Sequence, residues 1–454
     1  MATFGHAELP DARLNPRLVD VVAAWAARPH DTIPQACGEW GRTKGTYRFL
    51  ENRRVSCDAL IASAGKSSAK FCQALDTVLV VQDTTTLSYG GLKGTKGLGP
   101  VNDQENGRGM FLHSTVALRP DGRPLGLLHQ RLWCRKEEDR GSKKKRRQRP
   151  IEEKESFKWL EGLQRARERV AAEAVQDPGP RLIHIMDREG DIHEVLETIA
   201  NSRDGAVLRF EHNRRIDDPC AYARPAVQAS PLLGKTSVEV PRTHEKVART
   251  ARVEVRSRSV ESIPSPCRDR RRGPFTMTLV EIREPAPPEG VEALHWLLWT
   301  TEPAATLKQA LAVARLYSMR WRVEDMHLVL KSGCAIEKLQ LETVDRLAKA
   351  VVLYSSIAVR IVQLRDWARE APETPCTELL QEGEWRALWT AIHKQAPASE
   401  QLGPTIRQAV LWIGRLGGHL NRKRDGLPGV KTLWRGWRDL MMLADLYVVL
   451  RPPD

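Results

Sequence analysis

The chain is short of almost everything that would mark a secreted, membrane-embedded or zinc-scaffolded protein. Its eight cysteines, at 37, 57, 72, 134, 220, 267, 334 and 376, are scattered, with no CxxC pair and no Cys/His zinc spacing. A disulfide framework is thereby excluded, and reduced thiols in an intracellular protein are expected. No apolar run reaches the length of a membrane span, and the opening MATFGHAELPDARLN lacks the basic-then-apolar layout of a secretory signal. A soluble cytoplasmic protein with no membrane partner is therefore expected. The Gly-rich loop at 90–99 carries Lys93 and Lys96 without the GxxxxGK[ST] order, and 229–236 (ASPLLGKT) has Ala where a P-loop needs its first Gly. His193-Glu194 has no second histidine in the zincin position, which excludes that metalloprotease motif. Internal repeats are absent too. Aromatics make up only 6% of the chain, yet 13 of them are Trp, against 7 Phe and 6 Tyr. Trp stacks well on bases and is equally a large core residue.

What the chain does have is positive charge and size. A net charge of +14 favours a polyanionic partner, nucleic acid before an anionic membrane. At 454 residues it has room for roughly two to four domains. The most informative stretch is 317–331, YSMRWRVEDMHLVLK, which follows an Ala- and Leu-rich approach free of Gly and Pro. The whole run predicts one long helix. Tyr317, Arg320, Glu324 and Lys331 then fall on one stripe at i, i+3, i+7 and i+14. A phenol, a guanidinium, a carboxylate and an ammonium on one stripe suit a metal ligand among phosphate-binding groups. The same stripe is also compatible with a solvated face carrying an i,i+4 Arg320–Glu324 pair.

Along the chain, 1–60 reads as short helices punctuated by prolines. The segment 41–49 (GRTKGTYRF) offers Arg42, Lys44 and Arg48 to DNA phosphates. Strands are expected at 77–82, 110–118 and 124–133, forming an antiparallel meander, and at 181–186. The run 140–149 (RGSKKKRRQR) reads as an exposed basic loop. Alternating patterns at 251–258, 276–282 and 295–300, separated by basic and Pro-rich loops, predict a β-rich insertion over about 205–300. Beyond 335 the pattern is helical, and 430–450 is apolar enough to need a partner surface. Asp83 and Asp187 each follow an apolar β-forming run. Neighbouring strands would place both at one sheet end, where Glu324 could join them from a helix. Three such carboxylates can hold two divalent cations for phosphoryl transfer, although an Asp after a strand is also an ordinary turn former.

With these residues in view, Tyr-x2-Arg-x3-Glu-x6-Lys at 317–331 resembles the YREK signature of bacterial DDE transposases, the insertion sequence 4 family, and within it the transposon 5 (insertion sequence 50) branch. The likeness runs through Tyr47-Arg48-Phe49, Gln82-Asp83-Thr84-Thr85, Leu128-His129-Gln130, Glu153-Lys154-Glu155-Ser156 with Lys158-Trp159, Met186-Asp187-Arg188-Glu189, Asp191-Ile192-His193, Trp296-Leu297-Leu298 and Thr301-Glu302-Pro303. It departs at Leu328 and Glu211, where that branch has lysines. The resemblance implies an α/β fold with an RNase H-like catalytic core (a mixed sheet flanked by helices) at 61–365, interrupted by the β insertion. Helical domains would lie on either side, 1–60 for transposon-end recognition and 366–454 for dimerisation. It implies Asp83, Asp187 and Glu324 as the catalytic, metal-binding triad, with two Mg²⁺ ions or Mn²⁺ in their place. Tyr317, Arg320 and Lys331 would hold phosphates, Trp296 would stack on a flipped base, Arg209 would lie near the active site, and Arg188 would contact DNA. The expected protein is a bacterial cut-and-paste transposase. It would act as a homodimer on terminal inverted repeats and target DNA, working through a hairpin. An RNase H-like structure-selective nuclease and a catalytically idle DNA-binding regulator are the rivals. Intact carboxylates argue against the regulator, and an intact YREK pattern argues against the plain nuclease.

Overall fold

The structure, a computed structural model, describes residues 4, 7–91, 94–102, 107–136, 149–240, 249–264, 273–422 and 425–450. Lys93, the basic loop except Arg149, and the CRDRRR run at 267–272 lie outside the described residues.

Four helices open the chain: α1 (Leu14–Ala27), α2 (Ile33–Cys37), α3 (Trp40–Glu51) and α4 (Cys57–Cys72). Their starts are set by local chemistry. Thr32 and Gln35 form a capping box at α2, and Ser56 accepts the Ala59 N–H at α4. α3 buries Thr43, Thr46, Phe49 and Leu50 and leaves Arg42, Lys44 and Arg48 exposed.

The middle of the chain builds one ten-stranded mixed sheet. Its first strands are β1 (Thr77–Ser88), the two-residue β2 (Gly99–Pro100), β3 (Arg108–Leu118) and β4 (Pro124–Trp133), and β1–β3–β4 form the expected antiparallel meander. Helix α5 (Phe157–Ala172) leads to β5 (Arg181–Met186), and α6 (His193–Ala200) leads to β6 (Gly205–Arg209). β5 pairs parallel with both β1 and β6. After the short α7 (Ala223–Gln228) come β7 (Leu232–Val240), β8 (Arg249–Ser262), β9 (Phe275–Arg283) and β10 (His295–Thr300), joined antiparallel onto β6 through β10. The span 205–300 therefore continues the main sheet, and its first strand, β6, stands in parallel register with β5. Within this span two strands, β6 and β7, and the α7 helix went unread in the sequence: β6 and α7 are only five and six residues long, and β7 carries Gly234 and few apolar residues.

Helices α8 (Leu307–Ser318), α9 (Trp321–Leu328), α10 (Val344–Glu370), α11 (Glu382–His393), α12 (Ile406–Leu416) and α13 (Val430–Leu450) complete the chain. The period-2 alternation of the strands sorts the core. Leu79, Val81, Ile183, Ile185, Val207 and Leu298 share a cluster with Tyr317, Val323 and Met326. The opposite face packs Met186, Leu208 and Trp299 against Trp159, Leu163 and Leu196 of α5 and α6. The N- and C-terminal helices meet: Trp25 stacks on Tyr354 at 4.6 Å, and Trp437 Nε1 donates to the Ala26 carbonyl at 3.0 Å.

Three expectations are corrected. The helix predicted over 306–331 is broken. Met319, Arg320 and Arg322 donate to carbonyls three residues back, and the backbone between α8 and α9 tightens there. A π-helical segment, Val329–Gly333, follows α9. Second, β1 does not stop before Asp83; the β-branched run Thr84–Thr86 continues it to Ser88 alongside β3. Third, α10 is long and apolar enough to cross a bilayer by length and composition, but 78% of that window is buried inside the protein, as in a core helix.

Candidate active site

Register brings the expected groups together. Val81 pairs with Ile185, so two residues on Asp83 stands beside Asp187, the first residue past β5. Met186 pairs with Leu208, so Asp187 stands beside Arg209. Arg209 in turn pairs with Leu298, two residues from Trp296 on the same face of β10. Asp83, Asp187 and Arg209 thus form one row across three parallel strands. All belong to the sheet face on which α8 and α9 pack.

Each Asp is held locally. The Asp83 carboxylate accepts the Thr84 N–H at 2.8 Å, and the Thr84 hydroxyl bonds His113 Nδ1 at 2.9 Å. Asp187 accepts the Glu189 N–H at 2.9 Å, and Glu189 pairs with Lys158 Nζ at 2.8 Å. Burial, and then the neighbouring Asp187, push the Asp83 carboxyl up to about 7. Burial raises Asp187 as well, against the Glu189 N–H and the cations Arg320 and Lys158. Two adjacent half-buried carboxyls raised in this way are what a hard divalent cation with oxygen ligands would relieve, so the donor set fits such an ion.

Glu324 comes from α9. It lies within the electrostatic field of Asp83 but is engaged by Arg320, whose Nη1 is 2.5 Å from its Oε1. Among the described residues no three His, Cys, Asp or Glu side chains converge closely enough to hold one metal ion. The three carboxylates share a face without forming a closed cage.

The rest of the expected stripe faces inward. Tyr317 and Arg320 are buried, which disposes of the solvated-face reading for this half of the helix. Trp296 meets Tyr317 edge-on at 5.4 Å and is half-buried, and Arg320 lies over the Trp321 ring at 4.3 Å. Arg209 donates to the His295 carbonyl at 2.5 Å. Arg188 is exposed, 3.9 Å from Glu211, one of the two departures from the family pattern, and Leu328, the other, is exposed. Lys331 is half-buried in the π-helical segment. Arg42, Lys44 and Arg48 sit apart on α3, beside Trp40, which is 76% exposed.

Other motif residues are struts. Buried Asp191 accepts the Glu211 and His212 N–H groups at 2.7 and 2.8 Å and pairs with Arg214 at 2.5 Å. Glu302 holds Arg181 at 2.6 Å, and Glu155 holds Arg135 at 2.6 Å. Sequence reasoning gave no role to Lys158, which reaches Asp187 electrostatically. Its signal was burial beside Trp133 and Trp159, and only packing reveals that.

Two segments of the chain match known families. Residues 1–55 match the family described as Transposase DNA-binding, and residues 356–448 match the Transposase Tn5 dimerisation domain. Among solved structures, the chain is similar to a piggyBac transposase synaptic complex with hairpin DNA, determined by cryo-EM. That likeness has 10% identity and a TM-score of 0.38, covering 78% of this chain and 66%, just under two thirds, of the other. The carboxylate-bearing sheet therefore lies between segments similar to a transposase DNA-binding domain and a Tn5 transposase dimerisation domain, and these two segments support a transposase of that kind.

Proposed function

We propose that the protein is a cut-and-paste DNA transposase of the DDE type, with an RNase H-like core, acting as a homodimer on the ends of its own element. The observation that carries this is the row Asp83–Asp187–Arg209 beneath Tyr317, Arg320 and Trp296. Like-charged carboxyls are crowded together and cations surround them, which suits the scissile phosphate of a polyanion. The strand order β4–β3–β1–β5–β6, with only β1, β5 and β6 parallel, supports the RNase H-like reading.

Asp83, Asp187 and Glu324 would hold Mg²⁺, or Mn²⁺ in its place. The ions would supply Lewis-acid neutralisation of charge at phosphorus. The chain's own residues do the rest. Tyr317, Arg320, Lys331, Arg209 and Arg188 hold backbone phosphates in line. Trp296 offers its ring to a base that leaves the stack. Arg42, Lys44 and Arg48 of α3 grip the element's end. Nicking, hairpin formation, hairpin opening and joining are each one displacement at phosphorus, in which one P–O bond forms and one breaks, so a single site serves all four.

The Arg320–Glu324 pairing favours one rival specifically, a catalytically idle DNA-binding regulator. Purified protein incubated with Mg²⁺ and DNA carrying the ends that flank its reading frame decides among the readings. Cleavage with joining to target DNA is expected. Cleavage without joining selects the nuclease, and binding without cleavage selects the regulator. Asp83→Ala, Asp187→Ala or Glu324→Ala is expected to cost at least about 10³-fold in nicking, some 4 kcal/mol of barrier, with end binding retained. A variant cutting near the wild-type rate removes that residue from the site.

A further inference from the structure

We infer that a quartet of charges, Arg322, Asp325, Arg365 and Asp366, positions Glu324, and that it does so from the helix α10 that leads into the C-terminal segment. This rests on the carboxylate reading above.

Helix α9, which carries Glu324, is only eight residues long, about two turns. It lies between a tightened break at Met319–Arg320 and a π-helical segment. A helix that short has little stability of its own, so its neighbours set its rotation. Val323 and Met326 supply apolar anchors. The directional anchors are ionic. Arg322 Nη1 lies 2.9 Å from Asp366 Oδ1, and its Nη2 lies 3.6 Å from Glu370. Arg365 Nη2 lies 2.6 Å from Asp325 Oδ2, and its Nε lies 2.7 Å from Asp366 Oδ1. The Asp366 side chain is fully buried, and both arginines are nearly so.

Helical geometry places these contacts away from the site. At about 100° per residue, Glu324 points some 200° around α9 from Arg322 and 100° from Asp325. One side of the helix is clamped to α10, and the other presents Glu324 toward Asp83. Two salt bridges, from Arg322 before Glu324 and Asp325 after it, hold the short helix against rotation. Paired charges of this kind, largely out of water, add little net stability but enforce one arrangement. The second half of α10, with Arg365 and Asp366, falls within the segment that matches a dimerisation domain. The catalytic carboxylate is therefore aligned by the C-terminal region, while the sheet carries the two Asp residues.

Arg322→Gln tests this, because it leaves Asp366 paired with Arg365. The probe is Mn²⁺ alone, titrated into metal-free full-length protein by calorimetry, alongside nicking kinetics and a melting curve. Arg322→Gln is expected to weaken Mn²⁺ binding and nicking by about 10- to 100-fold, as loss of an outer support does. Glu324→Ala also weakens Mn²⁺ binding, and the double variant binds no worse than Glu324→Ala alone. A structural Arg322 predicts otherwise: its effect multiplies with that of Glu324→Ala, or Mn²⁺ affinity stays unchanged while melting temperature falls. Either result overturns the clamp. Should Glu324→Ala leave Mn²⁺ binding untouched, the carboxylate reading fails first and the clamp with it. Asp325→Asn, at the half-exposed end, runs the same cycle if Arg322→Gln does not fold.

Discussion

Two carboxylate regions withdrawn from water sit one strand apart on the same sheet and behave oppositely. Asp83 and Asp187 stand side by side, and burial with like charge drives Asp83 up to about 7. Asp204, just before β6, is also buried, and burial alone would raise it. The facing His184 and Arg167 outweigh that and hold it low, with Arg167 Nε 2.5 Å from its Oδ2. His184 is itself held below its ordinary value by burial, and Arg167 adds a permanent charge beside Asp204. Burial of an acid therefore does not mark a site. An acid whose desolvation outweighs the compensation around it does, as at Asp83 and Asp187, where the Thr84 and Glu189 N–H groups and Arg320 offset it only in part.

The comparison breaks most visibly in nicking. Asp187→Asn is expected to remove at least about 10³-fold, whereas Asp204→Asn should keep the rate per folded molecule within a few-fold. Equal losses at both would mean that the like-charge pair has no chemical role.

Trp296 comes next. Unstacking a base costs a few kcal/mol and an aromatic platform returns about 1–3. Trp296→Ala should therefore spare the first nick and slow hairpin formation about 10- to 100-fold in gel-resolved kinetics. Loss of both steps together with a lowered melting point would return Trp296 to core packing.

On α3, replacing Arg42, Lys44 and Arg48 by Ala should weaken DNA binding roughly tenfold at moderate salt. It should also flatten the slope of log affinity against log salt by about 2 to 3. An unchanged slope would take these cations off the DNA.

The smallest effects are in melting temperature of the metal-free protein, and their signs differ. Asp204 has a depressed folded value, so its contribution is present above about pH 4 and lost as pH falls below it. Asp204→Asn should melt lower than wild type at pH 7, the gap closing below about pH 4. Asp83 has a raised folded value, so its charge opposes folding increasingly from about pH 4 to about 7. Asp83→Asn should melt about 2 °C higher than wild type at pH 8 and equal to it at pH 4. Parallel pH curves for the two variants would erase the distinction drawn here.

Much of the site was legible because period-2 and 3.6-residue patterns survive in single elements. The apolar runs before Asp83 and Asp187 announced two strands, and the spacing from Tyr317 to Lys331 announced a polar stripe. The meander over β1, β3 and β4 followed from turn residues between β-forming runs. Where the reading failed, non-local pairing had overridden local signals. β1 continues through Asp83 because β3 lies beside it, and β6 hides in a five-residue run that only its neighbours make a strand.

Composition and periodicity by themselves determined which residue types lie on which face of each element, since backbone geometry alone sets that alternation. Only the tertiary structure decided which elements are neighbours. It aligned Asp83, Asp187 and Arg209 in one row and anchored α9 to α10 through Arg322 and Asp325. Those outcomes depend on register and on the burial of charge between segments distant in sequence, and no local pattern encodes either.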